Sequence, residues 1–310
     1  VAYMVPTEIL AKQHFASFIE FFGKHSMKVG LITGKECYVF PSKVNKREAT
    51  RISKAQLGKW VANGEIPLVI GTHALIQKGV VFRDLAFAII DEQHRFGKVQ
   101  RQKLSRKDGK EPHLLSMTAT PIPRTLALTI YGDLDLTVLD QMPVGRKPVI
   151  TEIVSEATRR KAYAKMHEEL KEGRQCYVIC PRIDEPDPAK EFALQAKAAT
   201  SEWKRLQEGE FKAYTVGLLH SKMTPAQKEE VMRAFKANET QVLVATSVVE
   251  VGVNVPNATV ILIEGAERFG LAQLHQLRGR VIRSSDQAYC FLQTDSKAAA
   301  SGRLKALVTA

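Results

Sequence analysis

The sequence alternates short apolar runs, rich in β-branched residues, with longer amphipathic stretches. This alternation is typical of βαβ units, in which helices connect parallel strands. Before residue 140 the predicted elements are a helix over Glu8–Gly23 and strands over Ala2–Val5, Val29–Thr33, Leu68–Ile70, Ala86–Ile90 and Leu114–Met117. After residue 150 the predicted strands are Gln175–Cys180, Thr215–Leu219, Gln241–Ala245, Thr259–Glu264 and Ala288–Gln293. We therefore expect α/β structure in two successive parts.

A break between the two parts is predicted near residue 145. The chain has 310 residues, enough for two ordinary domains of roughly 150 residues each. The segment Asp140–Pro148 contains two prolines, a glycine and no periodicity, which favours a linker. We predict a first domain over 1–143, a linker over 144–150 and a second domain over 151–310.

Two polar, charged segments interrupt the pattern, Lys43–Lys59 and Asp184–Trp203. They are expected to be insertions or exposed helices without a specific role. A helix is expected to begin at Thr224 and Pro225, an N-cap residue and a first-turn proline, and to run through Phe235.

Composition restricts the class of protein. Lys and Arg number 45 against 33 Asp and Glu, a net charge of +12 that suits a polyanionic partner such as nucleic acid. The four cysteines are scattered, so neither a disulfide framework nor a zinc ribbon is expected, and Cys176 and Cys180 are predicted on the buried face of one strand. No apolar stretch approaches a membrane span, so a soluble, cytoplasmic protein is expected. The chain opens within a strand and without Met, and we interpret it as a fragment.

The apolar run Ala88–Ile90 ends in two adjacent carboxylates, Asp91 and Glu92. The carboxyl edge of a parallel sheet is where such folds bind ligands. Because successive strand residues point to opposite faces, one carboxylate can hold Mg²⁺ while the other orients an attacking water. The alternative is an acidic strand end at the surface.

Two further segments carry polar groups suited to a nucleotide. Ser116–Pro121 closes the next strand with hydroxyls that can relay the nucleotide state. Near the end of the second domain, Arg278, Arg280 and Arg283 lie within six residues, with Gln276 one helical turn before Arg280. Guanidinium forks suit a polyphosphate, although arginine-rich helices are more often solvated or bound to nucleic acid.

Seven segments, in this order, resemble the motif series of superfamily-two helicases and of the RecG family in particular: VPTEILAKQH, VIGTHALIQ, IIDEQHRFG, SMTATPIPRTLALT, GLLHSKMTPAQKEEVMRAF, VLVATSVVEVGVNVPNAT and ERFGLAQLHQLRGRV. The resemblance covers nearly the whole chain. It implies α/β architecture with two tandem RecA-like domains, the first truncated at its N-terminus, with ATP and Mg²⁺ in the cleft and branched or duplex DNA as the partner. It also implies a monomer and a further partner, single-stranded-DNA-binding protein.

The resemblance assigns roles to individual residues. Catalytic roles fall on Asp91, which holds Mg²⁺, on Glu92, which activates the water, and on Gln93, His94, Gln276, Arg280 and Arg283. Coupling of the nucleotide to DNA falls on Ser116, Thr118, Ala119, Thr120, Glu250, Gly252 and Asn254. Contacts to the DNA backbone fall on Pro6, Thr7, Glu8, Gly71, Thr72, His73, His220 and Thr246.

The sequence departs from the family pattern in several places. The phosphate-binding pattern G-x-x-x-x-G-K-[ST] is absent, and the segment Gly30–Glu36, which is one residue short and ends in Glu, is not expected to replace it. The family's loop is expected before residue 1, so this chain alone is predicted to be inactive. Ile282 stands where glycine is usual and Asn254 where aspartate is usual. The family's wedge domain is also expected outside the chain.

The resemblance implies an ATP-dependent DNA helicase that remodels stalled forks and Holliday junctions in recombination and repair. One alternative is the motor of the transcription-repair coupling factor. Gln93, the run at 250–253 and the predicted linker favour the RecG family over it. The other alternative is a catalytically dead DNA-binding module, which the missing phosphate loop and Ile282 would support.

Overall fold

The computed structural model describes residues 1–25, 27–43, 45–77, 79–92, 96, 112–118, 135–139, 141, 145–180, 188–246, 255–282, 285–294 and 302–309. These residues form two compact units, one up to Thr118 and the other from Asp135 onward. Each unit is an α/β structure, as predicted. Most of the segment 119–149 lies outside the described residues, so the domain boundaries at 143 and 151 stay predictions.

The first unit is built on a seven-stranded sheet. Its strands are β1 Ala2–Met4, β2 Val29–Ile32, β3 Cys37–Phe40, β4 Thr50–Arg51, β5 Leu68–Gly71, β6 Phe87–Ile90 and β7 His113–Ser116. They lie in the order β4-β3-β2-β5-β1-β6-β7. Pairing is parallel from β2 to β7 and antiparallel for β2 with β3 and β3 with β4. The antiparallel pair extends the sheet at one edge.

The described part of this unit includes two α-helices, α1 Glu8–Phe22 and α2 Lys54–Ala62. Each begins at a hydroxyl N-cap, because Thr7 and Ser53 accept a backbone N–H that would otherwise lack a partner. Every residue of β1, β2 and β5 is buried, as expected for parallel strands covered on both faces.

The second unit contains a six-stranded sheet in which every pair is parallel. Its strands are β8 Ile150–Val154, β9 Gln175–Ile179, β10 Val216–Leu219, β11 Val242–Ala245, β12 Ala258–Ile263 and β13 Tyr289–Gln293, in the order β10-β11-β9-β12-β13-β8. Its helices are α3 Arg159–Lys171, α4 Pro188–Glu208, α5 Pro225–Lys236, α6 Leu271–Arg278 and α7 Arg303–Thr309. The predicted helix at Thr224 is α5, and Thr224 caps it through a capping box with Gln227.

The two polar segments are more structured than predicted. Lys43–Lys59 contributes β4 and most of α2, and α2 buries Leu57 completely. Asp184–Trp203 contributes most of α4, where Ala199 is buried and Trp203 packs against the core. The prediction of exposed insertions was wrong for the inward faces of these helices, since buried apolar side chains hold them on the sheets.

All four cysteines are free and buried, which confirms the buried-strand interpretation of Cys176 and Cys180. None of the helices in the described ranges is long and apolar enough to cross a membrane.

Candidate functional site

The predicted site residues of the first unit gather at the carboxyl edge of its sheet. Asp91 directly follows β6, Thr72 directly follows β5, and Thr7 lies three residues beyond β1. Ser116 is the last residue of β7. Because β5, β1, β6 and β7 are consecutive in the sheet, these residues lie on adjacent strand ends, about 4.8 Å apart per strand. This edge is the place where open α/β sheets bind ligands.

The carboxylate pair is fixed by the backbone around it. The Asp91 N–H donates to the Met4 carbonyl at 2.9 Å, which continues the pairing of β6 with β1 past the end of the strand. The Glu92 N–H donates to Asp91 Oδ1 at 2.8 Å. Glu92 itself has φ of 49°, in the left-handed region that residues other than glycine seldom adopt. The two carboxylates therefore follow the strand on a strained turn that a hydrogen bond of Asp91 helps to hold.

His14, to which the sequence analysis gave no role, contacts the carboxylate of Asp91. Its Nε2 lies 3.4 Å from Asp91 Oδ2, and its ring packs 4.9 Å from the ring of Tyr3. Burial and, secondly, the negative charge of Asp91 raise the pKa of the Tyr3 phenol above its usual value. The segment VPTEILAKQH includes His14, but only the fold brings α1 and the end of β6 together.

At the end of β5, the backbone passes very close to the backbone of the neighbouring strand β2. A Cβ at Gly71 would lie 2.4 Å from the Ile32 carbonyl oxygen, so only glycine fits. The next residue, Thr72, is 2% exposed, and its Oγ1 has no hydrogen-bond partner in the described part of the chain. Orphaned buried polar atoms of this kind are rare and suit a ligand contact. His73 begins the following turn and is exposed.

Thr7 acts as the N-cap of α1, with its Oγ1 accepting from the Leu10 N–H at 3.3 Å. Pro6 and Glu8 flank it, and Glu8 lies in the first turn, where a negative charge is favourable. The capping role is observed, whereas a DNA contact by these three residues stays a prediction.

In the second unit, His220 and Thr246 follow the neighbouring strands β10 and β11 at the carboxyl edge of that sheet. The Nδ1 of His220 and the Oγ1 of Thr246 are buried and lack hydrogen-bond partners among the described residues. Burial, followed by the charges of Lys228 and Lys222, lowers the pKa of His220. The lowered pKa favours the neutral imidazole, and the two orphaned atoms on neighbouring strand ends suit a polar ligand.

The arginine segment differs in detail from its prediction. Helix α6 ends at Arg278, so Arg280 lies just beyond the helix rather than on it, and it is 6% exposed. Arg278 does not present its guanidinium to a ligand, since Nη1 donates to the Leu307 carbonyl at 2.8 Å. Gln276 is half-buried on the helix. Gly279 caps the helix between Gln276 and Arg280 in a right-handed helical conformation, and the Arg280 N–H donates to the Leu277 carbonyl at 3.0 Å. The nucleotide roles of Gln276 and Arg280 stay predictions.

Ile282 stands where the family usually has glycine, and a β-branched residue there would be strained if the backbone had a positive φ. Among the described residues other than glycine, only Glu92 and Asn238 have a positive φ. Ile282 therefore lies in an ordinary backbone region, and its replacement of glycine imposes no left-handed strain beside Arg280.

The residues at Asp91 fit a magnesium ion bound with a nucleotide. Mg²⁺ usually takes one or two carboxylates together with waters and substrate phosphates, and not a cage of protein ligands. Asp91 supplies such a carboxylate at a partly exposed strand end. The residues that the structure describes include no group of three or more metal-ligating side chains, so Asp91 would share the ion with phosphate oxygens.

Comparison with known proteins gives two family matches. Residues 1–129 match the DEAD/DEAH box helicase family, and residues 159–285 match the helicase conserved C-terminal domain. The chain is 48% identical over 296 residues to the ATP-dependent DNA helicase RecG of Synechocystis, covering 96% of this chain and 33% of that protein. For RecG of Bacillus subtilis the identity is 47%, with 96% and 41% covered. For RecG of Aquifex aeolicus it is 50%, with 94% and 34% covered.

The chain is similar to RecG helicases over nearly its whole length. It spans only 33% to 41% of the length of these RecG relatives. A solved structure of RecG bound to a three-way DNA junction is 40% identical, with a TM-score of 0.74, over 99% of this chain and 37% of that one. Yeast Dbp5 bound to RNA and ADP BeF3 is 14% identical, with a TM-score of 0.61, over 99% of this chain and 74% of that one, and it shows the fold alone. The predicted RecA-like helicase fold and the predicted resemblance to RecG are confirmed.

Several predicted site residues lie outside the described ranges. They are Gln93, His94, Ala119, Thr120, Glu250, Gly252, Asn254 and Arg283. Their roles stay predictions.

The segment Gly30–Glu36 comprises the end of β2 and the turn to β3, where the Thr33 N–H donates to the Glu36 carbonyl at 2.9 Å. Thr33 Oγ1 also accepts the N–H groups of Lys35 and Glu36, at 3.3 and 3.1 Å. A hairpin turn, rather than a strand-to-helix loop, confirms that this Gly-Lys pair is not a phosphate loop.

Proposed function

We propose that this chain is the motor segment of an ATP-driven DNA helicase that remodels branched DNA, such as stalled forks and Holliday junctions, in recombination and repair. The observation that carries the proposal is the identity of 47% to 50% with three RecG helicases over nearly the whole chain. It is supported by the carboxylate pair at the carboxyl edge of the first sheet. The RecG structure bound to a three-way junction supports branched DNA as the substrate.

In the first unit, the proposal gives Asp91 the role of magnesium ligand and Glu92 the role of activating the attacking water. Gln93 and His94 couple hydrolysis to DNA contacts. The contact of His14 with Asp91 supports a further positioning role, since it restrains the carboxylate that would hold the ion.

In the second unit, Gln276 contacts the nucleotide, and Arg280 and Arg283 stabilise the charge that develops on the transferred γ-phosphate. The burial of Arg280 supports a fixed guanidinium rather than a solvated surface group. Ser116, Thr118, Ala119, Thr120, Glu250, Gly252 and Asn254 relay the nucleotide state to the DNA contacts.

The DNA contacts are to the phosphate backbone, since a translocating motor does not read bases. They are made by Pro6, Thr7, Glu8, Gly71, Thr72, His73, His220 and Thr246. The orphaned atoms of Thr72, His220 and Thr246 support this assignment, because each would gain a partner when DNA is bound. The protein is proposed to act as a monomer in the cytoplasm and to meet single-stranded-DNA-binding protein there.

A chimaera tests the proposal. This chain replaces the matching 41% of Bacillus subtilis RecG, and the product is assayed for ATP hydrolysis and for unwinding of a three-way DNA junction. We expect hydrolysis stimulated by junction DNA, and unwinding that requires ATP. A folded chimaera that binds the junction without hydrolysing ATP would favour a catalytically dead module. Hydrolysis without any response to branched DNA would remove the branched-substrate assignment.

A further inference from the structure

A pocket of about 370 Å³ opens at the edge of the first unit, beside the antiparallel strands β3 and β4. Its apolar floor comes from Val39, Pro41, Ile52 and Trp60, and its polar wall from Ser42, Thr50 and Gln56. Three cations, Lys28, Lys43 and Arg51, complete the lining, and no acidic residue lines it. The volume lies in the range of small-ligand sites, roughly 300 to 1,000 Å³.

Two of these cations, Lys28 and Lys43, lie close to the ring of Trp60. Lys28 Nζ lies 5.7 Å and Lys43 Nζ 5.3 Å from the centre of the Trp60 ring. Lys28 is partly neutralised by Glu65 at 3.1 Å, whereas Lys43 and Arg51 are exposed. Trp60 is half-buried, and its helix is held by the core beneath. A fixed aromatic surface thus lies in the same pocket as two exposed cations that can bind an anion.

We propose that this pocket binds one nucleotide of single-stranded DNA, with the base stacked on Trp60 and the adjoining phosphate held by Lys43 and Arg51. Positively charged grooves with aromatic platforms are the general means of binding unpaired strands, because every base offers a flat face. The site lies beyond β2, on strands that carry none of the residues assigned above to nucleotide or DNA. The inference rests on the proposed function only in taking DNA as the partner.

An unpaired strand fits the pocket better than a duplex does. The bases of a duplex are stacked on each other, so a duplex would meet Lys43 and Arg51 but not the Trp60 ring. An acidic protein segment would meet the cations and leave the ring without a stacked partner. Stacking on Trp60 therefore distinguishes an unpaired DNA strand from a duplex and from an acidic protein segment.

Tryptophan fluorescence provides the first test, because the chain has two tryptophans, Trp60 and Trp203. An oligothymidine of about 12 nucleotides is titrated into the Trp203→Phe and Trp60→Phe variants. We expect quenching in Trp203→Phe, where Trp60 is the reporter, and none in Trp60→Phe. Binding without quenching in Trp203→Phe, measured by anisotropy of a labelled oligonucleotide, would overturn the stacking. Circular dichroism checks that both variants fold.

Charge substitutions provide the matched test. Lys43→Ala with Arg51→Ala removes two cations from the pocket, whereas Lys46→Ala with Arg47→Ala removes two exposed cations of the same segment that do not line it. We expect the first pair to weaken oligothymidine binding about tenfold and the second pair about twofold, since both lower the net charge equally but only the first loses the phosphate contacts. Equal losses would show that only the charge of the segment matters.

Binding of duplex DNA, measured beside binding of oligothymidine, shows whether this inference alone fails or the proposed function fails with it. If the chain binds neither duplex nor single strand, both are wrong. If duplex binding is intact and the Lys43→Ala, Arg51→Ala pair binds oligothymidine as the wild type does, only the pocket inference is wrong. If an acidic peptide competes for the pocket and oligothymidine does not, the occupant is a protein.

Discussion

The backbone of Glu92 is held at φ of 49°, immediately after Asp91, the proposed magnesium ligand that follows β6. A residue other than glycine in this region costs about 1 to 3 kcal/mol, and such strain collects at functional sites. The hydrogen bond from the Glu92 N–H to Asp91 Oδ1 helps to maintain it. The strained turn supports the hypothesis that Glu92 has a chemical role, because a surface carboxylate would have no need of it.

Replacing Glu92 by Gln should separate ATP binding from ATP turnover. In the chimaera with Bacillus subtilis RecG, Glu92→Gln is expected to leave ATP affinity within a few-fold of wild type and to abolish hydrolysis. The amide keeps the size of the side chain but cannot accept a proton from the attacking water. ATP affinity and steady-state hydrolysis are measured together, with Glu48→Gln, an exposed carboxylate, as the control. Hydrolysis near the wild-type rate would remove Glu92 from this role.

Arg280→Ala should slow hydrolysis roughly 10³-fold or more while leaving DNA affinity nearly unchanged, because its charge is assigned to the γ-phosphate. Arg280→Lys should restore little, since lysine lacks the planar fork. The exposed Arg268→Ala is the control, and thermal unfolding shows whether loss of a buried side chain destabilises the fold. A variant that instead lost DNA affinity and salt dependence would assign Arg280 to the DNA track.

The fold places some of the residues taken from the motif series at the carboxyl edge of each sheet, but contacts across elements were not predictable. Nothing in the pattern indicated that His14 lies 3.4 Å from Asp91, because that contact depends on how α1 packs on the sheet. Nor could the sequence show that Arg278 bonds the Leu307 carbonyl, which needs the position of α7.

At the scale of elements, ten of the eleven strands that pair in parallel in the described sheets were predicted within about one residue, because each is a short, mostly apolar run. The parallel edge strand β8, Ile150–Val154, was not predicted, since Thr151 and Glu152 interrupt its apolar residues. The antiparallel strands β3 and β4 were missed. Strand β4 has two residues, Thr50 and Arg51, and its neighbours are mostly charged, so no alternation marks it. The buried face of helix α2 was not predicted for a related reason, since lysines and polar residues separate Leu57, Trp60 and Val61 from other apolar runs.

The inward face of α2 should carry measurable stability. Leu57 is completely buried in the core of the first unit, so Leu57→Ala is expected to lower the free energy of unfolding by about 2 to 5 kcal/mol. Lys59→Ala, an exposed position on the same helix, should change it by less than about 0.5 kcal/mol. Urea denaturation of both variants makes the comparison. Equal, small effects would restore the first interpretation of the segment as a dispensable insertion.

A cluster of charged side chains joins α3, α4 and the end of β12. Arg159 contacts both Glu202 and Glu264, and Arg205 contacts Glu202 and the Tyr163 hydroxyl. Burial and, secondly, the nearby Glu202 raise the pKa of Glu264 to about 8. Burial opposes ionisation of Glu202 as well, but the bonds from Arg205 leave its pKa below the usual value. The two neighbouring carboxylates thus have pKa values shifted in opposite directions, upward for Glu264 and downward for Glu202.

This cluster predicts that stability falls as the pH rises. Between the usual value of 4.5 and about 8, folded Glu264 keeps a proton that the unfolded chain has released. The folded state therefore binds more protons, and its stability declines through this window as the pH increases. Thermal unfolding between about pH 5 and about pH 8 should show a decline in wild type that Glu264→Gln flattens. An unchanged slope in Glu264→Gln would assign the pH dependence to other groups.

At the scale of the whole molecule, sequence reasoning predicted two α/β parts and the family, because the motif order and the run of strands are properties of the whole chain. The domain boundaries were less accessible. The segment around residue 145 has a turn-rich composition but no apolar pattern that fixes where an element ends. Its role as a linker follows only from composition and stays a prediction.

The net charge of +12 and the proposed backbone contacts predict how the 310-residue chain behaves by itself. It should bind duplex DNA weakly and without sequence preference, because phosphate neutralisation requires no nucleotide, and the affinity should fall steeply between about 50 and 200 mM salt. ATP hydrolysis should be undetectable with or without DNA. The sequence contains no G-x-x-x-x-G-K-[ST] loop to cradle the β- and γ-phosphates, and Asp91 alone is only part of a magnesium site. DNA-stimulated ATP turnover that is lost in Glu92→Gln, and so does not come from a contaminant, would show that another segment of this chain holds the phosphates.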